Sequence, residues 1–188
     1  MSNLEILDNN SPLSFYKTIA NAFFDFWPLE CKDYYGCNTA KEIESKIVEE
    51  YRNNECPFTI LYLDIELDEN IKKVVGSVSI CKKDIIGSKY GPWISDLWVD
   101  KNFRNYGISK TLLDNILYCA NKKLGLNKIY LWVDIKNDFV VKLYERYGFK
   151  IIEKMMYCER DIYIMLKTSW DNEGFVYNQL LVNELNKN

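Results

Sequence analysis

The chain has 188 residues, 48% hydrophobic and 27% charged, which is enough apolar side chain for one packed core and too much for a disordered chain. Its net charge of −3 excludes the basic surface that nucleic-acid binding needs, and its lack of histidine excludes a Ser-His-Asp triad, a Cys-His pair and a histidine metal site. No apolar run approaches the roughly 20 residues that span a bilayer, Met1–Asp8 lacks the basic start and apolar core of a secretion signal, and cysteines 31, 37, 56, 81, 119 and 158 form no C-x-x-C pair, so the expectation is a cytoplasmic protein with reduced thiols and no membrane partner.

In chain order, Leu13, Tyr16, Ile19, Ala20, Phe23 and Phe24 recur at helical spacing and predict a helix over Pro12–Trp27. Pro28–Gly36 breaks that regularity. Thr39 with Glu42 three residues on forms a capping box, opening a helix whose apolar face is Ile43, Ile47, Val48 and Tyr51 and which ends near Asn53–Asn54, before Pro57. Phe58–Leu67 and Lys72–Lys82 read as strands of an antiparallel hairpin turning at Asp68–Asn70. Gly87–Pro92 is a loop. Trp93–Val99 is a third strand, and from Ile108 a four-residue recurrence (Ile108, Leu112, Ile116, Ala120, Leu124) predicts a helix over 107–124. Lys128–Asp134 is apolar on both faces, as an interior strand should be, with Ile129, Leu131 and Val133 opposite Tyr130 and Trp132. A helix over 138–147 is capped by Asn137 and closed by Gly148, and Phe149–Tyr157 and Asp161–Lys167 form a last hairpin. Residues 169–188 are polar with Phe175, Val176, Leu180, Leu181 and Leu185 at helical spacing, a tail that docks as an extra helix or meets a partner. The strand-helix-strand unit from 93 to 134 implies a parallel pair inside an otherwise antiparallel, helix-flanked sheet.

One stretch organises the rest. Asp96-Leu-Trp-Val-Asp-Lys-Asn-Phe-Arg-Asn-Tyr-Gly-Ile-Ser-Lys110 is a strand, a polar glycine turn and a helix start. Unpaired N–H groups at a helix start and the positive end of its dipole favour an anion, and phosphate is the usual one at such a turn. The stretch contains neither G-x-G-x-x-G nor G-x-x-x-x-G-K-[ST], so it is neither the dinucleotide fingerprint nor a Walker A loop.

Arg104-x-x-Gly107-x-Ser109 resembles the R/Q-x-x-G-x-G/A signature of the GNAT superfamily of acyl-CoA N-acyltransferases, with serine where Gly or Ala is usual. Asn137-Asp-Phe-Val-Val-Lys-Leu-Tyr144-Glu-Arg-Tyr-Gly148-Phe149 resembles a second block of the same family, N-x-x-A-x-x-L-Y-E-x-x-G-F, with Val140 where Ala is usual. The resemblance covers roughly 72–168 most firmly and is closest to bacterial GNAT acetyltransferases of unassigned substrate. It implies a single α/β (α+β) domain over 1–168, its mixed, mostly antiparallel sheet carrying a central splayed parallel pair, with 169–188 as a tail. A homodimer is an assembly it also implies.

The implied activity is transfer of acetyl from acetyl-CoA (coenzyme A) to a primary amine by direct attack in a ternary complex, with no metal and no covalent enzyme intermediate. The acceptor is a small-molecule amine or, alternatively, a protein N-terminus or lysine. A different class of reading is a degenerate CoA-binding sensor or interaction module. For the cofactor, Arg104, Asn105, Tyr106, Gly107, Ile108, Ser109 and Lys110 are expected to hold the pyrophosphate, and the exposed backbone of Leu97, Trp98 and Val99 to pair with the pantetheine arm and hold the thioester oxygen. Asn137 either bonds the pantetheine or only caps its helix. Tyr144 stands where the family often places the acid that protonates the leaving thiolate; its other reading is core packing beside Val140. Asp96 is the candidate base for the ammonium of the acceptor, or else a paired structural carboxylate, and Glu66 is a second candidate. Phe24, Trp27, Tyr34 and Glu66, with Phe23, Tyr35, Asp25, Glu30 and Asp33 near in sequence, are the candidate acceptor side, since aromatics beside carboxylates suit a cation; their other reading is core and cover packing.

Overall fold

The computed structural model describes residues 3–52, 58–65 and 72–170. Its strands are β1 (Leu4–Ile6), β2 (Phe58–Ile65), β3 (Lys72–Cys81), β4 (Trp93–Val99), β5 (Ile129–Asp134), β6 (Lys150–Tyr157) and β7 (Arg160–Lys167), and its helices α1 (Leu13–Phe26), α2 (Pro28–Tyr35), α3 (Ala40–Arg52), α4 (Ile108–Tyr118) and α5 (Asp138–Arg146). The strands form one seven-stranded sheet in the order β1-β2-β3-β4-β5-β7-β6. Every neighbouring pair is antiparallel except β4–β5. Both predicted hairpins and the parallel unit between them are therefore present. The expected turn at 68–70, Glu66, the end of the second predicted helix at 53–54 and the tail beyond Trp170 lie outside the described residues.

The sheet is covered on both faces because its strands are apolar on both faces. Ile60, Val78, Ile94, Ile129, Leu131 and Val133 pack with α4 residues Leu112, Leu113 and Ile116. Leu61, Leu63, Val74 and Trp98 pack against α1 and α3 through Phe15, Ile19, Phe23, Ile43 and Ile47. Tyr130 and Trp132 sit in a third cluster with Trp93, Ile162 and Ile164, as the alternation along Lys128–Asp134 predicts.

Three local readings are corrected. Pro28–Gly36 is a helix, α2, rather than a break. Proline is pre-set for the first helical position, where its missing N–H is not needed, and Gly36 at φ 65° closes the last turn; with Cys31 as its only buried residue, α2 has no apolar period to read. The 107–124 helix is α-helical only to Tyr118 and continues as a π-turn over Cys119–Lys123, in which the N–H of Leu124 donates to the carbonyl of Cys119 at 2.9 Å. That extra residue per turn rotates Leu124 off the apolar face, leaving it exposed. The third correction is β1, which three residues are too few to announce by pattern; it is held by the antiparallel register Leu4↔Tyr62. The Thr39–Glu42 capping box is present with a displaced return bond. The Glu42 N–H donates to Thr39 Oγ1 at 3.2 Å, while Glu42 Oε2 accepts from the N–H of Asn38 at 2.7 Å.

Helix α4 approaches the sheet where β3 has glycine. A Cβ on Gly76 would lie 3.1 Å from Leu112 Cδ1, 3.1 Å from the carbonyl oxygen of Trp98 and 3.2 Å from Ile108 Cγ2. The backbone oxygen cannot yield, so Gly76→Ala is expected to push α4 outward and destabilise the fold by about 1–3 kcal/mol, read as a lower urea midpoint at unchanged slope.

Candidate active site

The site begins with a mismatch in strand pairing. Ser77 pairs with Trp98 and Ser79 with Ser95, so Asp96 and Leu97 on β4 together face Val78 on β3. This is a β-bulge, which bends a strand. Asp96 carries the positive backbone angle the bulge requires, φ 57°, a region aspartate tolerates better than most residues. The Ser77 hydroxyl donates to the Asp96 carbonyl at 3.1 Å and fixes the distortion. On its other side β4 pairs with β5 only at Trp93↔Tyr130, helped by the Tyr130 N–H donating to the Pro92 carbonyl at 2.9 Å. Beyond that pair no ladder contact joins the two strands, and a cavity of about 1420 Å³ opens there. A smaller hollow of about 280 Å³ lies between α2 and α3, away from this split.

At one end of the large cavity lies the start of α4. Gly107, at φ 78°, turns the chain into α4. The first N–H groups of a helix have no partner within it, and Ile108 and Ser109 line the cavity there. Arg104 is held beside this end: its Nε donates to the Val99 carbonyl at 3.2 Å, and its guanidinium lies 5.6 Å from the centre of the Phe26 ring. Lys110 is tied back to the buried Asp114 at 2.7 Å, and Asp114 also accepts from the Tyr147 hydroxyl at 2.7 Å.

Another part of the cavity wall is acidic and aromatic. Asp96, Asp84 and Glu30 line it with Trp27, Tyr34 and Trp132. Burial pushes the Asp96 carboxyl up to about 6, against the pull of hydrogen bonds from Ser95 and Ser79. Asp84 rises to about 8, first through burial and then through the neighbouring Asp96 charge. Glu30 is raised by burial despite Arg160, which donates to its Oε2 at 2.9 Å; its Oε1 is buried with no hydrogen-bond partner among the described residues, and the same holds for the Trp98 indole N–H.

Asp84 makes the site costly to the fold. Its folded-state value lies above the ordinary 3.8, so as pH rises from 3.8 to about 8 the unfolded chain releases this proton before the folded chain does, and stability falls across that window. Asp84→Asn is expected to raise the melting temperature at pH 8 and above and to change it little at pH 4; the same gain at both values would contradict the assignment.

The sequence-predicted residues divide clearly. Asp96, Leu97, Trp98, Val99, Arg104, Asn105, Gly107, Ile108, Ser109, Asn137, Tyr144, Trp27 and Tyr34 all line the large cavity. Tyr106 does not; its side chain is 79% exposed. Lys110 does not line it either and is engaged with Asp114. Phe24 is turned away, packing with the α1–α3 core, while its neighbours Phe23 and Phe26 reach the cavity. Asn137 caps α5, accepting from the Val140 N–H at 3.4 Å. Tyr144 is both lining and core: it is buried edge-on against Phe149 at 5.9 Å, and burial pushes its phenol well up. Asp84 escaped sequence reading because it sits in an irregular loop with no motif around it.

A mixed sheet whose parallel pair parts beside a glycine-turned helix start is the fold of the acyl-CoA N-acyltransferase class. Residues 16–149 match the acetyltransferase (GNAT) family, and the chain belongs to that family. It is 29% identical over 100 residues to the probable N-acetyltransferase san of Drosophila melanogaster, covering 50% of this chain and 54% of that protein. It is 32% identical over 79 residues to N-alpha-acetyltransferase 50 of Danio rerio, covering 42% of this chain and 46% of that one. The chain thus spans about half the length of these curated relatives. In fold it is similar to the spermidine N-acetyltransferase of Vibrio cholerae solved with CoA and spermine, with a TM-score of 0.62 at 18% identity over 88% of this chain and 95% of that chain. Among the described residues no helix is long and apolar enough to cross a membrane.

Proposed function

We propose that the chain is an N-acetyltransferase that moves acetyl from acetyl-CoA to a cationic primary amine by direct attack in a ternary complex. The observation that carries this reading is the place of Asp96: a half-buried carboxylate at the point where β4 leaves β5, between the open strand segment Leu97–Val99 and the acidic, aromatic wall.

The residues present fit the cofactor. The Gly107 turn and the first N–H groups of α4, with Arg104 beside them, suit a pyrophosphate, and the unpaired edge of Leu97–Val99 suits an amide-bearing arm. Acetyl-CoA supplies the activated thioester. On the protein side, Asp96 takes the proton that the acceptor ammonium must lose, the backbone of Leu97–Val99 offers N–H donors where negative charge develops, and Tyr144 holds a proton for the departing sulfur. Asp84, Glu30, Trp27, Tyr34 and Trp132 favour a cationic acceptor. The similarity to N-alpha-acetyltransferase 50 supports a second acceptor class, a peptide amine. A cytoplasmic place accords with the five described cysteines, all free thiols; a homodimer rests on family resemblance.

Thiol release from acetyl-CoA over a panel of monoamines, diamines and short peptides tests the reading, alongside thermal shifts with acetyl-CoA alone. A cofactor at 100 times its Kd adds about 2.7 kcal/mol of stability. Turnover with small cationic amines is the expected result, and turnover with peptides alone would move the acceptor to the second class. A thermal shift without release from any amine would leave a CoA-binding module and overturn the enzymatic reading.

A further inference from the structure

Phe26 is a large aromatic residue that the core does not use. It is the last residue of α1, 44% exposed, and belongs to none of the three packed clusters. It lines the large cavity instead, where its ring centre lies 6.0 Å from that of Trp27 and 5.6 Å from the Arg104 guanidinium. Arg104 is the motif residue at the Gly107 end, and it too is exposed. An exposed arginine carries much rotamer freedom, and a ligand that uses it must first remove that freedom.

The way Arg104 is held differs from the way other cations of this molecule are held. Arg160 pairs with Glu30 at 2.9 Å and Lys110 with Asp114 at 2.7 Å, whereas among the described residues no ion pair engages Arg104. Both of its contacts are neutral: Nε donates to the Val99 carbonyl at 3.2 Å, and the guanidinium lies over the Phe26 ring. A carboxylate would fix the side chain equally well but would cancel the charge that an anion needs. A carbonyl and a ring fix it and leave the charge in place. A guanidinium has five N–H donors. Val99 takes the one on Nε and the ring takes none, so the four on Nη1 and Nη2 stay available for a two-pronged bond to an anion.

We propose that Phe26 is a positioning residue for Arg104: together with the Val99 carbonyl it holds the guanidinium at the Gly107 end before acetyl-CoA arrives, and it raises cofactor affinity by removing that motion in advance. The proposal rests on the reading of Arg104 as a pyrophosphate residue. It separates Phe26 from its neighbour Trp27, which belongs to the acceptor wall; a role in that wall would appear in the KM of the amine and not in the affinity for CoA.

The test is calorimetric titration of the full chain with CoA, which binds without reacting. Phe26→Leu keeps an apolar side chain and removes the ring. It should raise the Kd of CoA about two- to tenfold, the size of one side chain ordered in advance, and Phe26→Tyr should restore it. Because Phe26 lies outside the core clusters, the melting temperature without ligand should change little. The decisive comparison is a double-mutant cycle: in an Arg104→Gln background, Phe26→Leu should leave the Kd where it is. An equal loss in both backgrounds, an unchanged Kd in Phe26→Leu, or a change confined to the KM of the amine each overturns the proposal while the cofactor reading stands. A native chain that binds no CoA overturns the cofactor reading and this proposal with it.

Discussion

Asp96→Asn is expected to lower kcat by about 10²–10⁴-fold, the usual contribution of a positioned general base, while acetyl-CoA still shifts the melting temperature. Asparagine is the informative replacement because it tolerates the positive backbone angle at this position, φ 57°, and keeps the side chain's outline, so a loss of activity is not a loss of the bulge. The pH dependence follows from the same carboxyl. With its folded value at about 6 in the ligand-free protein, Asp96 is ionised and competent above that pH and protonated below it; the native enzyme should show an acid limb near pH 6 in kcat/KM, which reports the free enzyme, and the residual activity of the variant should lack it. An equal limb near pH 6 in both proteins would assign the titration to a group other than Asp96.

The second large effect belongs to Tyr144. Tyr144→Phe preserves the buried ring and its edge-on contact with Phe149 at 5.9 Å, so the fold and the cofactor affinity should be retained while kcat falls about 10²-fold or more. Burial raises this phenol above its ordinary value of 10 and keeps it protonated, as a proton donor must be, and it should add no limb to the pH profile below pH 10. Single-turnover acetyl transfer with a saturating amine, set beside a cofactor titration, is the decisive pair of measurements. Turnover unchanged in the variant would return Tyr144 to a purely packing role.

Both predictions rest on residues found in the sequence, but for unequal reasons. Tyr144 lies in a block of contiguous chain, Asn137–Phe149, where helical period, cap and closing glycine agree, so the sequence reading places it on α5 correctly. The Gly107 end of the cavity is equally local: the Gly107 turn and the α4 start are adjacent in the chain, and local backbone chemistry is enough to predict them. Of the residues assigned to that end, Tyr106 and Lys110 fail to reach the cavity, because which way a surface side chain leaves a turn depends on neighbours such as Asp114, whose carboxylate draws Lys110 back.

The acidic end shows the reverse. Glu30 comes from α2, Asp84 from the segment after β3, and Asp96 from a bulge in β4. Nothing in the spacing of these residues marks them as neighbours, and their raised carboxyl values come from burial that only the packed molecule creates. The buried Thr59–Ser79 hydroxyl pair, 2.8 Å apart across the sheet, is further still from local pattern. Thr59 and Ser79 are separated by twenty residues, and a shift of one residue in strand register would turn either hydroxyl to the opposite face. By itself, then, the sequence determined the helices with clear apolar stripes, the strands with runs of apolar residues, the glycine turn and the two motif blocks, because each depends on residues close along the chain. The tertiary structure alone decided which carboxylates share one wall and which hydroxyls meet across the sheet, because register, bulge and burial are set by contacts between segments far apart in sequence.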